Sequence, residues 1–202
     1  MLINSVFGAY IGLQRLDHID NDAFSDVCID YASRNEGRFI SNKGGWQSND
    51  IIGVESFEPL VNVIEEVANL LKGPFKLKDN AYLYASEMWL NVNKPTNYNI
   101  LHHHGDSYIS GVYYVHVPPE AGKLWFRHPS VAKTVINWNK YLESLNEHNC
   151  NSWFVEPKAG DLIFFPSWLE HEVDQNNSSE DRISIAFNLK IKMVDHVVKS
   201  DK

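Results

Sequence analysis

The sequence predicts a mainly β domain with supporting helices, an α+β arrangement whose strands form a sandwich or barrel. After about residue 80, short segments rich in β-branched and aromatic residues follow one another with turns between them, a spacing typical of such folds. Before that point, apolar residues recur at helical spacing instead. With 202 residues, the chain is long enough for one well-buried domain and short for two.

One strand and two helices are predicted in the N-terminal part of the chain. Residues 6–16 have the character of a strand, and Asn21 or Asp22 can cap a helix that continues to Arg34. A second helix is predicted to begin at Ser56, because the apolar residues that follow recur at positions i, i+3, i+4 and i+7. The pair Gly73-Pro74 is expected to end it.

Between these helices, residues 41–50 read SNKGGWQSND. The segment is rich in Ser, Asn and Gly, which predicts an exposed and irregular loop. Such a loop can serve as a lid over a functional site. Alternatively, its tryptophan only anchors the loop to the protein surface.

Seven strands are predicted in the rest of the chain, at residues 82–93, 98–103, 109–117, 123–126, 152–156, 162–165 and 182–190. A helix is predicted at residues 132–148, between two of them. We therefore expect a single domain over residues 1–202. Residues 1–80 would supply supporting helices and a first strand, and residues 81–192 would form the β core.

Three consecutive histidines, His102, His103 and His104, precede Gly105 and Asp106. Side chains of an extended segment alternate between faces, so His102, His104 and, where the strand continues, Asp106 point the same way. Imidazole and carboxylate ligands together suit Fe(II) in an open facial site. The cluster alone is equally typical of a solvated polar turn or an adventitious metal-binding patch.

A second polar group lies much further along the chain. His171 stands between apolar Leu169 and Val173, and Arg182 opens the strand RISIAFN eleven residues later. Alternation places Arg182 and Ser184 on one face of this strand and its large apolar residues on the other. A buried guanidinium needs an anion, and its planar fork matches a carboxylate. Because that face of the strand carries no acidic residue, a ligand carboxylate is the predicted partner.

Together these segments resemble the 2-oxoglutarate and Fe(II)-dependent oxygenases. The superfamily pattern is a His-x-His or His-x-Asp pair, a strand with two tyrosines, a distal histidine and then Arg-x-Ser. More narrowly, GGWQS, the NxxHxH segment, SGVYYV, FPSWLxH and RISIAFN are similar to small oxygenases of marine bacteria and their phages. The resemblance covers about residues 41–190 and implies a double-stranded β-helix, the jelly-roll or cupin-like barrel.

The resemblance also implies a cosubstrate site. It implies that Arg182 pairs with the distal carboxylate of 2-oxoglutarate and that Ser184 adds a hydroxyl. Tyr114 is implied as a further donor to that carboxylate, with Tyr113 taking its place if the strand register slips by one residue. Asn91, with its neighbour Trp89, is implied to line the pocket.

For the metal, the resemblance implies His171 as the distal ligand and gives the proximal ligands in two ways. The broad superfamily pattern selects His104 and Asp106. The narrower resemblance selects His102 and His104, which gives three histidines. The second set is favoured, because six residues from His104 to the Ser-Gly pair leave little chain for the usual hairpin. Asp106 would then lie near the pocket without binding the metal.

The implied function is that of a 2-oxoglutarate-dependent dioxygenase, a hydroxylase that uses Fe(II), 2-oxoglutarate and O₂ and releases succinate and CO₂. Its small-molecule or peptidyl substrate is not readable from the sequence. Two alternatives stay open: a cupin-like metalloprotein with an HxH…H site that does not use 2-oxoglutarate, and a catalytically silent jelly-roll binding protein. Arg182 argues against the first, and the presence of both His171 and Arg182 argues against the second.

Composition limits the partners. The net charge of −8 disfavours direct binding to nucleic-acid phosphates, which requires clustered Lys and Arg. Cys28 and Cys150 have neither a zinc nor a CxxC spacing, so we expect reduced thiols in a cytoplasmic protein. Neither a signal peptide nor a membrane-spanning run is predicted. A homodimer is the one assembly expected, since jelly-roll oxygenases of this size often pair.

Overall fold

The computed structural model of the protein describes residues 8–130 and 139–194. The strands in chain order are β1 (Gly12–Arg15), β2 (Asn42–Lys43), β3 (Trp46–Gln47), β4 (Ala81–Asn93), β5 (Tyr98–His102), β6 (Ile109–His116), β7 (Leu124–Arg127), β8 (Ser152–Val155), β9 (Asp161–Pro166), β10 (His171–Val173) and β11 (Arg182–Met193). The helices are α1 (Asn21–Arg34), α2 (Glu58–Asn69) and the short α3 (Lys72–Phe75), and a 3-10 turn spans Asn139–Tyr141.

The strands form two antiparallel sheets. Sheet A has the order β1-β9-β6-β11-β4-β3, and sheet B has the order β2-β5-β10-β7-β8. From β4 to β7 and again from β9 to β11, consecutive strands alternate between the two sheets. This alternation is the winding of a double-stranded β-helix, so the predicted fold class is confirmed.

The central strand β11 separates two apolar clusters. On one face of sheet A, Ile185 and Phe187 join a core cluster that includes Leu60 and Ile64 of α2. A smaller cluster packs between the two sheets, and its members are Val112, Tyr114, Leu124, Phe126, Ile163, Phe165 and Leu169. The helices therefore cover the outer face of sheet A, and its inner face is left to line the barrel.

Two N-terminal predictions need correction. The strand predicted at residues 6–16 begins only at Gly12, and residues 6 and 7 lie outside the described part of the chain. The cap of α1 is Asp20, whose Oδ1 accepts the Ala23 amide at 3.1 Å. Asn21 instead accepts a hydrogen bond of 2.6 Å from the Tyr113 hydroxyl. The side chain predicted as a cap therefore joins the helix to sheet A.

The boundaries predicted for the second helix were also wrong. Helix α2 begins at Glu58, not at Ser56, and its N-cap residue makes no side-chain capping bond. It ends at Asn69, before Gly73-Pro74, which lies inside α3. Proline is tolerated there because the first amides of a helix have no intrahelical partner to lose.

The segment predicted as an exposed loop is half buried, with five of its ten residues buried and four exposed. Ser41 and Asn42 are buried, and β2 and β3 pair with β5 of sheet B and β4 of sheet A. The Asn42 side chain accepts from the Ile40 amide and donates to the Gly45 carbonyl. The polar side chains here form hydrogen bonds with nearby backbone groups, and so the polar composition of the segment does not indicate exposure. We call residues 41–48 the strap, since they tie the two sheets together.

The predicted helix at residues 132–148 is wrong where it can be described. Residues 131–138 lie outside the described part, and residues 142–148 contain turns and no helix. The Asn146 side chain accepts from the His148 amide at 2.9 Å, and the Asn149 side chain accepts from the Asn146 amide at 2.8 Å. Such local bonds offer the backbone an alternative to helix. Within residues 8–130 and 139–194, no helix has the length and apolar character needed to cross a bilayer.

Gly111 provides a test of how tightly sheet A is packed. A Cβ at this position would lie 2.3 Å from Cζ of Phe187 and 2.5 Å from the Ile163 carbonyl oxygen. We expect Gly111→Ala to lower the free energy of unfolding in urea by about 1–3 kcal/mol, the usual cost of overpacking. Gly73→Ala is the control, because nothing lies within 4 Å of its added Cβ. Equal stability of the two variants would contradict the packing described here.

Candidate active site

Three histidines converge between the ends of two neighbouring strands. His102 ends β5, His171 begins β10, and the two are paired across sheet B. His104 lies two residues beyond β5, where its amide donates to the Ser167 carbonyl at 2.8 Å. One nitrogen from each of the three rings lies within 4.8 Å of the others. The two distant stretches of sequence therefore form one group that is able to hold a metal ion.

Backbone carbonyls fix the orientation of two of these rings. Nδ1 of His102 lies 2.7 Å from the Ile100 carbonyl oxygen, and Nδ1 of His171 lies 2.9 Å from that of Leu169. Since a carbonyl oxygen only accepts, Nδ1 carries the proton in the neutral ring. Nε2 is thus left with a free lone pair, the form in which imidazole binds metals.

Burial keeps the imidazoles neutral. Desolvation, with smaller effects from the neighbouring histidines, lowers the pKa of His171 to about 3 and that of His104 to about 4. The pKa of His102 is also lowered, again mainly by burial. The Phe165 ring lies 4.6 Å from the His171 ring and the Trp89 ring lies 5.5 Å from the His104 ring, centroid to centroid. Protons therefore compete weakly with a metal at neutral pH.

Asp106 lies apart from this group. Strand β5 ends at His102, and the chain turns at Gly105 and Asp106, which leaves the Asp106 side chain exposed. The alternation that would have carried Asp106 to the inner face stops before it is reached. Of the two predicted ligand sets, the structure brings together His102, His104 and His171.

Arg182 is the most unusual charged residue of the site, with only 1% of its surface exposed. Its Nη1 donates to the backbone carbonyls of Ala121 and Asp174. Its Nη2 is buried without a hydrogen-bond partner. None of the ion pairs in residues 8–130 and 139–194 includes it. An unpaired buried donor of this kind is costly unless a ligand accepts from it.

Three further predicted residues form a row beside Arg182. Ser184 is the cross-strand neighbour of Asn91 on β4 and of Tyr114 on β6, and all three are buried. Asn91 has a side-chain oxygen without a partner. Burial raises the pKa of Tyr114 to about 12, which keeps its hydroxyl protonated. Tyr113, the alternative considered from the sequence, instead points into the core beneath the helices.

One cavity joins the histidines to this row. Its lining includes Trp89, Asn91, His102, His104, Tyr114, Phe165, His171, Arg182, Ser184 and Ala186. Ser41 of the strap also lines it and was not predicted, because the strap was expected to be exposed. The cavity thus offers three neutral imidazoles to a metal and one buried guanidinium to a carboxylate.

Comparison with protein families finds one match, described as "Putative 2OG-Fe(II) oxygenase", over residues 87–188. No curated protein sequence matches the chain. This span contains every residue predicted for the site.

Solved structures share the fold. A prolyl-4-hydroxylase from Pseudomonas putida is 16% identical, with 91% of this chain and 93% of that chain covered and a TM-score of 0.61. The alpha-ketoglutarate-dependent epimerase SnoN from nogalamycin biosynthesis is 14% identical, with 94% and 80% covered and a TM-score of 0.66. HygX from Streptomyces hygroscopicus, solved with nickel, 2-oxoglutarate and hygromycin B, is 13% identical, with 91% and 83% covered and a TM-score of 0.60. At these identities the likeness concerns the fold.

The lowered histidine pKa values predict how the stability of the metal-free protein depends on pH. The unfolded chain gains protons near pH 6.5, whereas folded His104 and His171 resist protonation down to about pH 4 and about pH 3. The unfolded state therefore binds more protons in this window, and the free energy of unfolding falls as the pH decreases from 7 to 5. Each group contributes a slope of at most about 1.4 kcal/mol per pH unit.

Urea unfolding at several pH values with a chelator present measures this slope. We expect the free energy of unfolding of His171→Gln to change less steeply with pH than that of the wild type, because one imidazole that resists protonation has been removed. The control His18→Gln replaces an exposed imidazole that lies outside the histidine group. Identical slopes for all three proteins would show that His171 is not held neutral.

Proposed function

Since the chain belongs to the 2OG-Fe(II) oxygenase family, we propose that it is a dioxygenase that hydroxylates a substrate. The cosubstrates in this proposal are 2-oxoglutarate and O₂, and the products besides the hydroxylated substrate are succinate and CO₂. The observation that supports this function best is one cavity containing both a convergent histidine group and a buried guanidinium with a free N–H.

In this proposal His102, His104 and His171 hold the iron. The donor set fits, because three neutral imidazoles present nitrogens within 4.8 Å of one another and suit a first-row divalent metal. When bound, Fe(II) together with 2-oxoglutarate supplies the oxidation of the substrate by O₂. The carbonyls of Ile100 and Leu169 hold two of the rings in the orientation that a metal ligand needs.

Arg182 would bind the distal carboxylate of 2-oxoglutarate. Two backbone carbonyls hold one side of its guanidinium, so that the free Nη2 is already oriented when the cosubstrate arrives. Tyr114 and Ser184 would add hydroxyl donors, and the Asn91 amide would line the same end. A carboxylate here would accept a hydrogen bond from the buried Nη2, which otherwise has no partner among the described residues.

The rest of the cavity would exclude water. Val112, Leu124 and Phe165 present apolar surface between the histidines and the arginine, and all three are buried. A dry site strengthens each charge–dipole contact and limits side reactions of the oxidant. A cupin-like metalloprotein without 2-oxoglutarate would have no use for a buried, half-bonded arginine, and so we favour the oxygenase.

An anaerobic titration tests the proposal. Addition of 2-oxoglutarate to the Fe(II)-loaded protein should produce a visible charge-transfer band, and O₂ should then produce succinate. Arg182→Ala should weaken 2-oxoglutarate binding by about tenfold to a hundredfold, the loss expected for one charged hydrogen-bonded contact. Iron affinity should change much less. Arg34→Ala, on the exposed face of α1, is the matched control.

Because Arg182 also holds two loops, circular dichroism should confirm that the variant is folded. Arg182→Lys, which keeps the charge but loses the fork, provides a second measurement and should also bind 2-oxoglutarate more weakly than the wild type. Iron binding without any band in the wild type would refute the proposed use of 2-oxoglutarate. Equal losses of iron and 2-oxoglutarate affinity in both arginine variants would refute the role of Arg182.

A further inference from the structure

The inner face of sheet A continues beyond the cavity, in the direction away from Arg182. Along β11 the inward residues after Ser184 are Ala186 and Asn188, which pair with Trp89 and Glu87 of β4. At about 3.3 Å per residue, Asn188 lies about 13 Å beyond Ser184 and about 20 Å beyond Arg182. Trp89 also lines the cavity, and its ring centroid lies 5.5 Å from that of His104. We call the end of the barrel near Asn188 the mouth, because the Glu87 side chain there is 40% exposed and this end lies on the far side of the histidines from Arg182.

A continuous polar row crosses the mouth. The Ser110 hydroxyl contacts Oδ1 of Asn188 at 2.7 Å and the Ser167 hydroxyl at 2.9 Å. Nδ2 of Asn188 faces a Glu87 carboxylate oxygen at 3.4 Å. Ser110, Ser167 and Asn188 are buried, and the Ser167 carbonyl also accepts the His104 amide. A buried polar row in a barrel persists only if its members are satisfied, and this one ends at a charged group.

That charged group belongs to an ion pair beside Trp89, a residue that lines the cavity. Arg38 Nη2 lies 3.3 Å from Glu87 Oε1, with 26% of the arginine side chain and 40% of the glutamate side chain exposed. The Arg38 guanidinium carbon lies 5.9 Å from the Trp89 ring centroid. Arg38 Nε is buried without a partner. Both charges thus reach solvent beside the ring that touches the histidine group.

The opposite charges of this pair limit what can bind at the mouth. An anion attracted to Arg38 meets the Glu87 carboxylate, and a cation attracted to Glu87 meets the Arg38 guanidinium. A molecule that carries both charges satisfies both residues, with its carboxylate toward Arg38 and its ammonium toward Glu87. The flat face of Trp89 would pack on the part of the molecule that lies between its charged end and the histidines.

We propose that Arg38, Glu87 and Trp89 form the substrate-recognition subsite and that the substrate is a small zwitterion of the amino acid type. This inference rests on the proposed oxygenase function, since it takes the histidine group as the reacting centre. It assigns the two ends of the cavity different tasks. Arg182 faces the cosubstrate, and the mouth selects the substrate.

The test measures binding of amino acids to protein loaded with redox-inert Zn(II) and saturating 2-oxoglutarate. The probes are the free L-amino acids, their N-acetyl forms, their amides and their doubly blocked forms. Isothermal titration gives the affinities, and the indole N–H resonance of Trp89 reports contact at the mouth. We expect at least one free amino acid to bind and to shift that resonance, and each single block to weaken binding by about tenfold.

Charge-removing variants sharpen the test. Glu87→Gln should weaken binding of the free amino acid by about tenfold. The same variant should bind the N-acetyl form, whose only charge is negative, more tightly. Arg38→Gln should weaken binding of the free amino acid to a similar extent. It should bind the amide, whose only charge is positive, more tightly. The exposed pair Asp30 and Arg34 on α1 supplies matched controls, Asp30→Asn and Arg34→Gln, which should leave the affinities as in the wild type.

The inference is overturned if no free amino acid binds, if blocked forms bind as well as free ones, or if the two mouth variants bind as the wild type does. Tighter binding of the doubly blocked form would indicate a peptide and would also overturn it. A 2-oxoglutarate titration of the same variants, loaded with Fe(II) instead of Zn(II), separates these failures from failure of the proposed function. A retained charge-transfer response with Fe(II) leaves the oxygenase proposal standing.

Discussion

The two faces of β11 impose the constraint on which the site depends. Ile183, Ile185 and Phe187 are buried against the core beneath the helices, so the intervening residues must face the barrel. Because the side-chain period of a strand is two, a slip of one residue would bury Arg182 in the apolar core and expose the isoleucines to the cavity. The free energy of that apolar burial therefore holds the guanidinium in the barrel, where its Nη2 has no hydrogen-bond partner among the described residues.

The two sheets contribute different chemistry to one cavity. Sheet B supplies His102 and His171 from paired strands, and these rings are neutral because burial opposes their protonation. Sheet A supplies Arg182 at one end and Glu87 at the other. Polarity thus changes along the barrel from a single positive charge through neutral imidazoles to a pair of opposite charges. In the proposed function, this order would give the cosubstrate and the substrate separate approaches to the same centre.

Sequence reasoning succeeded where one physical rule decided the outcome. Alternation along RISIAFN predicts the inward face of β11, and helical spacing predicts α1 and α2. Sequence reasoning failed where the hydrogen-bond partners of polar side chains decide whether a segment is buried. The strap is rich in Ser and Asn, yet the Asn42 side chain hydrogen-bonds to the nearby backbone of Ile40 and Gly45, and most of the strap is buried. Strand β10 has three residues, too few for a periodic signal. The choice between Tyr113 and Tyr114 required the register of β6, which only the paired strands reveal.

The strap connects closure of the barrel with the position of Arg38 at its mouth. The Arg38 amide donates to the Gln47 carbonyl of β3 at 2.7 Å, so the position of Arg38 depends on the strap. The strap approaches its neighbours closely only because it carries glycines. A Cβ on Gly45 would lie 2.9 Å from Asn93 Nδ2, and Gly44 has a φ of +77° that other residues rarely adopt. The GGWQS motif therefore does more than join the sheets, since its glycines also determine where the arginine at the mouth lies relative to Glu87.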